Sequence, residues 1–404
     1  MGSRYTPART RLVLAVLFTG AFTMGCAEML VVGLLDRIAA DLEVPVPAAG
    51  ALVTANALGI AIGGPLLTFA TTRLDRRTVL LGATIAFVSA NLLPAFGADY
   101  ALFLAARVGI GAVQGLFIAA AMVTATAIVP PERTGRAMAL VISGFATASA
   151  FGLPVGTLLG QAVGWRGSFV AVVGVGTVLL VVAIVVLPSV PASAGSRAIG
   201  QARHAFAPRV LAMLVLSCLI FVAIQSALTY VVPFLNDATG VSGPALSVFL
   251  LAYGLATTIG SIGGGRFADS GAARSLLLGT IGLTGSLAAL FLFGGHPLVA
   301  GLAIVGIGLF GMGMAPSMQH RVVALSGPGA PLASSLPASA VNAGIAFGSF
   351  AGGAAIGAAG VPAAVLTGAG VAVIAVAVAW ATRLLRPVAI TAGSSGVAEP
   401  TPAS

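Results

Sequence analysis

Long apolar runs broken by short polar punctuation organise this chain. Runs bounded by Pro, Gly and charge begin near Leu12, Pro47, Val79, Ala101, Met138, Ser168, Val210, Pro244, Leu276, Leu298, Pro337 and Ala363. Each is close to the roughly 20 residues that an α-helix needs to cross a bilayer, so the pattern predicts about twelve transmembrane helices. The one long polar interruption, with Pro188, Pro191, Ser193, Arg197, Gln201, Arg203 and His204, leaves six runs on either side. The expected organisation is a six-helix bundle over 1–187, a linker over 188–208, a second bundle over 209–386 and a disordered tail over 387–404.

The two sets of runs repeat. At an offset of 197 positions, Val108-Gly109-Ile110-Gly111 falls on Val305-Gly306-Ile307-Gly308. Val44, Pro47 and Ala48 fall on Val241, Pro244 and Ala245, while Ile62, Gly63, Arg77, Leu80, Leu81 and Gly82 fall on Ile259, Gly260, Arg274, Leu277, Leu278 and Gly279. One match of Gly and Val could arise by chance; a constant offset across three regions does not. A parallel repeat of this kind is built from two halves related by an axis along the membrane normal, with a site between them near the midplane. The fold class is therefore an all-α membrane protein of twelve transmembrane helices in two pseudo-symmetric six-helix bundles.

Composition supports the class and charge adds an orientation. Of 404 residues, 58% are hydrophobic and 7% charged, against ~25% charged in soluble domains. The net charge of +9 does not point to nucleic acid, because the arginines lie between apolar runs. With the N-terminus inside, 16 of the 19 basic residues, all of them Arg, fall in cytoplasmic segments, which predicts that both termini are cytoplasmic. The first run is longer than a signal-peptide core, so it reads as an uncleaved helix. Cys26 and Cys218 have no metal or CxxC spacing. A chain without Lys has no GxxxxGK[ST] loop, which leaves an ion gradient as the energy source and no cofactor.

Glu28 is a lone carboxylate within the first run, and intramembrane acids face bundle interiors or wet cavities. The repeat sets it against Gln225, an acid against an amide, so proton chemistry is expected in the first half alone. Other polar residues at membrane depth are Asn56, Asn91, Gln114, Tyr253 and Asn342, each a candidate for the cavity or for interhelical hydrogen bonds. Asn56 and Tyr253 are matched by the repeat.

Several motifs resemble the twelve-helix drug:proton antiporters of the major facilitator superfamily. Glu28-Met29 through Gly33-Leu34-Leu35, followed by Ile38-Ala39-Ala40-Asp41-Leu42, is similar to the family's first helix and implies that Glu28 takes part in proton and substrate binding. Asp36 replaces the usual Pro there, either a second titrating group or a solvated helix end. Arg73-Leu74-Asp75-Arg76-Arg77 resembles the cytoplasmic loop that holds the inner gate, with Thr72 at the usual Asp position, and Asp269 and Arg274 belong to its second copy. Arg107-Val108-Gly109-Ile110-Gly111 resembles the fourth-helix signature, implying an arginine linked to proton transfer with Glu28 or Asp36; snorkelling towards Asp99 is the alternative. Gly152, Pro154 and Gly156 resemble the antiporter motif of exporters, though glycine at this spacing also serves plain packing.

These readings predict a proton-coupled exporter of small amphipathic drugs or natural products, working by alternating access in the bacterial cytoplasmic membrane. Its expected partners are a small-molecule substrate, protons and the lipid bilayer, with a monomeric chain and no enzymatic activity. A sugar or metabolite exporter of the same fold is the alternative, and a non-transporting receptor or scaffold a remote one.

Overall fold

The computed structural model describes residues 6–97, 99–130, 133–191, 206–327, 333–334 and 336–385, without the side chains of residues 269 and 270. Most of the 188–208 linker and the whole 387–404 tail lie outside the described residues. Eleven helical stretches among the described residues are long and apolar enough to cross a membrane. One of them, Thr134–Val186, has 53 residues, about 80 Å of helix and over twice the ~30 Å hydrocarbon core. Gly164 divides it: its φ of 80° and ψ of 159° are open to glycine and turn the chain back.

The helices are therefore α1 (Pro7–Gly33), α2 (Val46–Ala70), α3 (Arg76–Phe96), α4 (Tyr100–Ala127), α5 (134–163), α6 (165–186), α7 (Pro208–Asp237), α8 (Pro244–Ala268), α9 (Gly271–Phe293), α10 (Pro297–Ser326), α11 (Leu336–Ala359) and α12 (Pro362–Thr382). Starts are set locally. Thr6 caps α1 by accepting from the Arg9 amide at 3.4 Å, with Pro7 in the first turn, and Asp75 caps α3 by accepting from the Arg77 amide at 2.9 Å. A short helix, Leu35–Asp41, continues α1 past a break at Leu34, and α7 is broken at Thr229-Tyr230, next to Val231, the match of Leu34.

Glycine decides which helices touch. A Cβ on Gly144 would press on the Phe18 backbone, on Gly152 against Cys26, on Gly156 against Leu30 and on Gly160 against Leu34, so α5 lies directly along α1. In the second half Gly344, Gly348 and Gly352 of α11 bring it against the backbone of α7 at Cys218, Val222 and Ser226. The repeat is visible in individual contacts: Gly111 of α4 abuts the carbonyl of Asn56 on α2, and Gly308 of α10 abuts the carbonyl of Tyr253 on α8. Both residues of each pair match at the 197-residue offset. Between the halves, α2 packs on α11 and α5 on α8.

The two ends of the molecule differ. At the linker end, named interactions stay within one half. Ser189 donates to Asp75 Oδ2 at 2.5 Å, the Arg76 amide to Val190 O at 3.0 Å, and the Arg77 guanidinium to Ile184 O at 2.6 Å. Arg321 likewise donates to Thr382 O at 2.6 Å and Leu385 O at 3.2 Å. At the far end, hydrogen bonds cross: Asn236 donates to Asp36 Oδ2 at 2.6 Å and Gln161 to Gly243 O at 3.1 Å.

Candidate functional site

Glu28 lies in the last quarter of α1, on the side turned away from lipid, because the glycines at 25 and 33 press that helix against α5. It reaches a cavity of about 140 Å³ at the junction of the halves. From the first half Gly25, Glu28, Met29, Phe145 and Ser149 line it; from the second come Phe221, Ile224, Gln225, Leu228, Tyr253, Ile307, Gly311, Met312 and Ile345. Glu28 is the one charged side chain in this wall among the described residues. The carboxylate and the Gln225 amide thus share one space. Aromatic, aliphatic and thioether groups supply the rest of the surface, a lining suited to an apolar body with few polar groups.

Behind the wall, a polar chain runs into the first half. Gln114 of α4 donates its amide to Glu28 Oε2 at 2.6 Å, and Asn56 of α2 donates to Gln114 Oε1 at 3.5 Å. Both amides are buried and neither lines the cavity, so they hold the carboxylate rather than meet a ligand. Arg107, fully buried seven residues before Gln114 on the same helix, donates to Ala27 O at 3.1 Å and Leu52 O at 3.2 Å. Its guanidinium ties α4 to α1 and α2, next to the carboxylate and not in ion-pair contact with it. Asp99 caps α4 through the Leu102 amide at 2.6 Å, away from Arg107.

The remaining predicted residues are dispersed. Gln225 and Tyr253 join Glu28 in the cavity, whereas the Asn342 amide donates back to Ala338 O at 2.9 Å and does not line it. Asp36 is at the far end, bonded to Asn236. Burial raises its carboxyl above the ordinary carboxylate range, with the Asn236 amide opposing and Asp237 adding repulsion. Arg73 is exposed on the turn at the linker end, while Arg76 is buried and donates to Thr72 O at 3.0 Å. Arg274 is exposed near the start of α9, and the Asp269 side chain lies outside the described residues. Gly152 lies in a π-helical turn, 148–152, that ends just before Pro154; Gly156 follows it and packs on Leu30.

Sequence reading missed the apolar wall. Phe221 and Leu228 lie four before and three after Gln225, one helical face, so the spacing was available once Gln225 was placed. Phe145 and Ser149 had no such marker. Also missed was a far-end cluster in which Arg166 meets the Asp41 carboxylate, stacks 4.3 Å from the Trp165 ring and donates to Gly97 O at 3.3 Å. That guanidinium holds the Asp41 carboxyl below its ordinary range.

Comparison with known proteins agrees with this architecture. The family model described as Major Facilitator Superfamily matches residues 17–333. The inner membrane transport protein YdhP of Escherichia coli K12 is 31% identical over 345 residues, covering 85% of this chain and 89% of the relative. A chloramphenicol resistance protein of Streptomyces lividans is 32% identical over 346 residues, covering 83% and 87%. Among solved structures, a bacterial homologue of the human lysosomal transporter Spinster, captured inward-facing and unoccupied, superposes with a TM-score of 0.81 at 15% identity over 94% of this chain and 98% of that one. With its membrane-length helices among the described residues, its internal repeat and a cavity lined by both halves, this chain belongs to the major facilitator superfamily and is a multi-pass membrane transporter, not an enzyme.

Proposed function

We propose that this transporter is a proton-coupled exporter of small amphipathic compounds, antibiotic-like natural products among them. The observation that carries the reading is the cavity itself: one carboxylate, Glu28, faces one amide, Gln225, inside an apolar and aromatic wall. A proton and a positive or hydrogen-bond-donating group of a substrate satisfy the same carboxylate, so each displaces the other. Gln225 and Tyr253 orient the ligand, and the apolar wall gives loose selectivity. The chloramphenicol resistance relative and the Gly152, Pro154 and Gly156 motif support export over import.

With both termini in the cytoplasm, the far end is the outer face, and the described conformation is closed to the outside. Rocking of the 1–187 and 209–386 bundles would then expose Glu28 to external protons and release the substrate. The test is proton-driven efflux from inverted vesicles. Glu28→Gln, a mimic of the protonated acid, should abolish it; efflux at the wild-type rate would remove Glu28 from the mechanism. Counterflow with labelled sugars against labelled antibiotics separates drug export from sugar or metabolite export.

A further inference from the structure

At the far end, Tyr230 is 1% exposed at the break in α7, where its backbone leaves the helix at φ −112° and ψ 20°. Its hydroxyl donates to Ser349 O on α11 at 2.8 Å, and the neighbouring Thr229 and Ser349 hydroxyls bond at 2.8 Å. These bonds lie within the second half. The phenol, however, is seated in a socket that both halves build. A Cβ added at Gly50 of α2, in the first half, would overlap the Tyr230 hydroxyl, and one at Gly353 of α11 would come within 2.5 Å of it. Only glycine leaves the ring this room. The same contact zone contains the Asn236 bond to Asp36, so ring and hydrogen bond close one end together.

We propose that Tyr230 is the plug of the far-end gate: anchored to Ser349, it travels with the second half and leaves its Gly50 seat each time that end opens. The assignment needs the alternation stated above and is independent of which compound or ion is moved. The intra-half bonds keep the ring oriented through the cycle, while its contact with Gly50 is purely steric and separates without stranding a buried polar group. The opposing glycine is then a requirement of closure rather than of folding.

The test uses the full-length protein in liposomes with Cys26 and Cys218 replaced by Ala, and a cysteine pair at Asp36→Cys and Asn236→Cys to report closure by cross-linking. Gly50→Ala should slow the cross-link by about tenfold, and Tyr230→Ala in the same chain should return it to within about twofold of Tyr230→Ala alone. Cross-linking at the parent rate in Gly50→Ala, or no recovery in the double variant, would overturn the proposal. Where Gly50→Ala fails to fold, a second reporter decides. A single cysteine at the cavity-lining Met29→Cys should label from the far side about tenfold faster in Tyr230→Ala than in the parent. Equal labelling rates would overturn the plug. Since neither readout uses a substrate or a proton gradient, a failure here is distinct from a failure of the export reading.

Discussion

Arg107 donates to two carbonyl oxygens, while its Nη2 is buried without a partner among the described residues. A guanidinium presents a fork of N–H groups that can hold Ala27 on α1 and Leu52 on α2 at once, which a lysine ammonium on a flexible stem does less well. Arg107→Lys should lower stability by about 1.5–3 kcal/mol, the worth of one lost bond to a charged group, read as an earlier thermal transition in detergent. Gln114→Leu removes the amide that holds Glu28 Oε2 without touching the cavity wall. Efflux should fall by about tenfold with substrate binding nearly unchanged, measured as rate against binding isotherm in the same vesicles. The distinction between wall and support was not legible in the sequence. Glu28, Asn56, Gln114 and Gln225 all read as polar residues at membrane depth, and which of them faces the cavity depends on helix rotation. A lone amide such as Asn342 satisfies itself on its own helix, a solution that leaves no trace in spacing.

Between elements, glycine serves packing. Along α1 and α5, the segment with Gly152, Pro154 and Gly156 is a packing seam, and along α7 and α11 the same spacing does the same work without proline. Neighbouring glycines separate sharply in what they tolerate. Gly111→Ala would drive a methyl into the Asn56 backbone and should destabilise by about 1–3 kcal/mol, whereas Gly109→Ala meets open space and should be neutral or slightly stabilising. Melting temperatures of the two variants in detergent test this directly. Much of the fold was readable at this scale. Twelve runs and the offset of 197 follow from the length that a bilayer demands and from the repeat itself. The broken extensions of α1 and α7 escaped notice, because Leu34 and Tyr230 are unremarkable residues whose conformations are set by tertiary contact.

For the molecule as a whole, closure of the far end joins pH to shape. The Asp36 carboxyl, raised by burial in the closed form, binds a proton more tightly there than it would when open to water. Closure should therefore strengthen as pH falls and weaken as pH rises through the closed-form value, and Asp36→Asn should flatten that dependence. Pulsed EPR distances between spin labels at the exposed Val163 and Leu298, followed across pH, would show it. The helices that meet between the halves also differ in backbone. In α2 the π turn Gly59–Gly63 precedes Pro65, and in α5 the turn Ala148–Gly152 precedes Pro154. The matching positions in the second half are Ile262 and Ala351, and α8 and α11 run through them as unbroken α-helix. Proline removes a helical bond and a π turn accommodates the loss, so α2 and α5 each possess a built-in joint. These are the first-half helices that pack against α11 and α8. Should the halves rock as proposed, bending at these two seams would fall to α2 and α5 rather than to α8 and α11, on the half that carries Glu28.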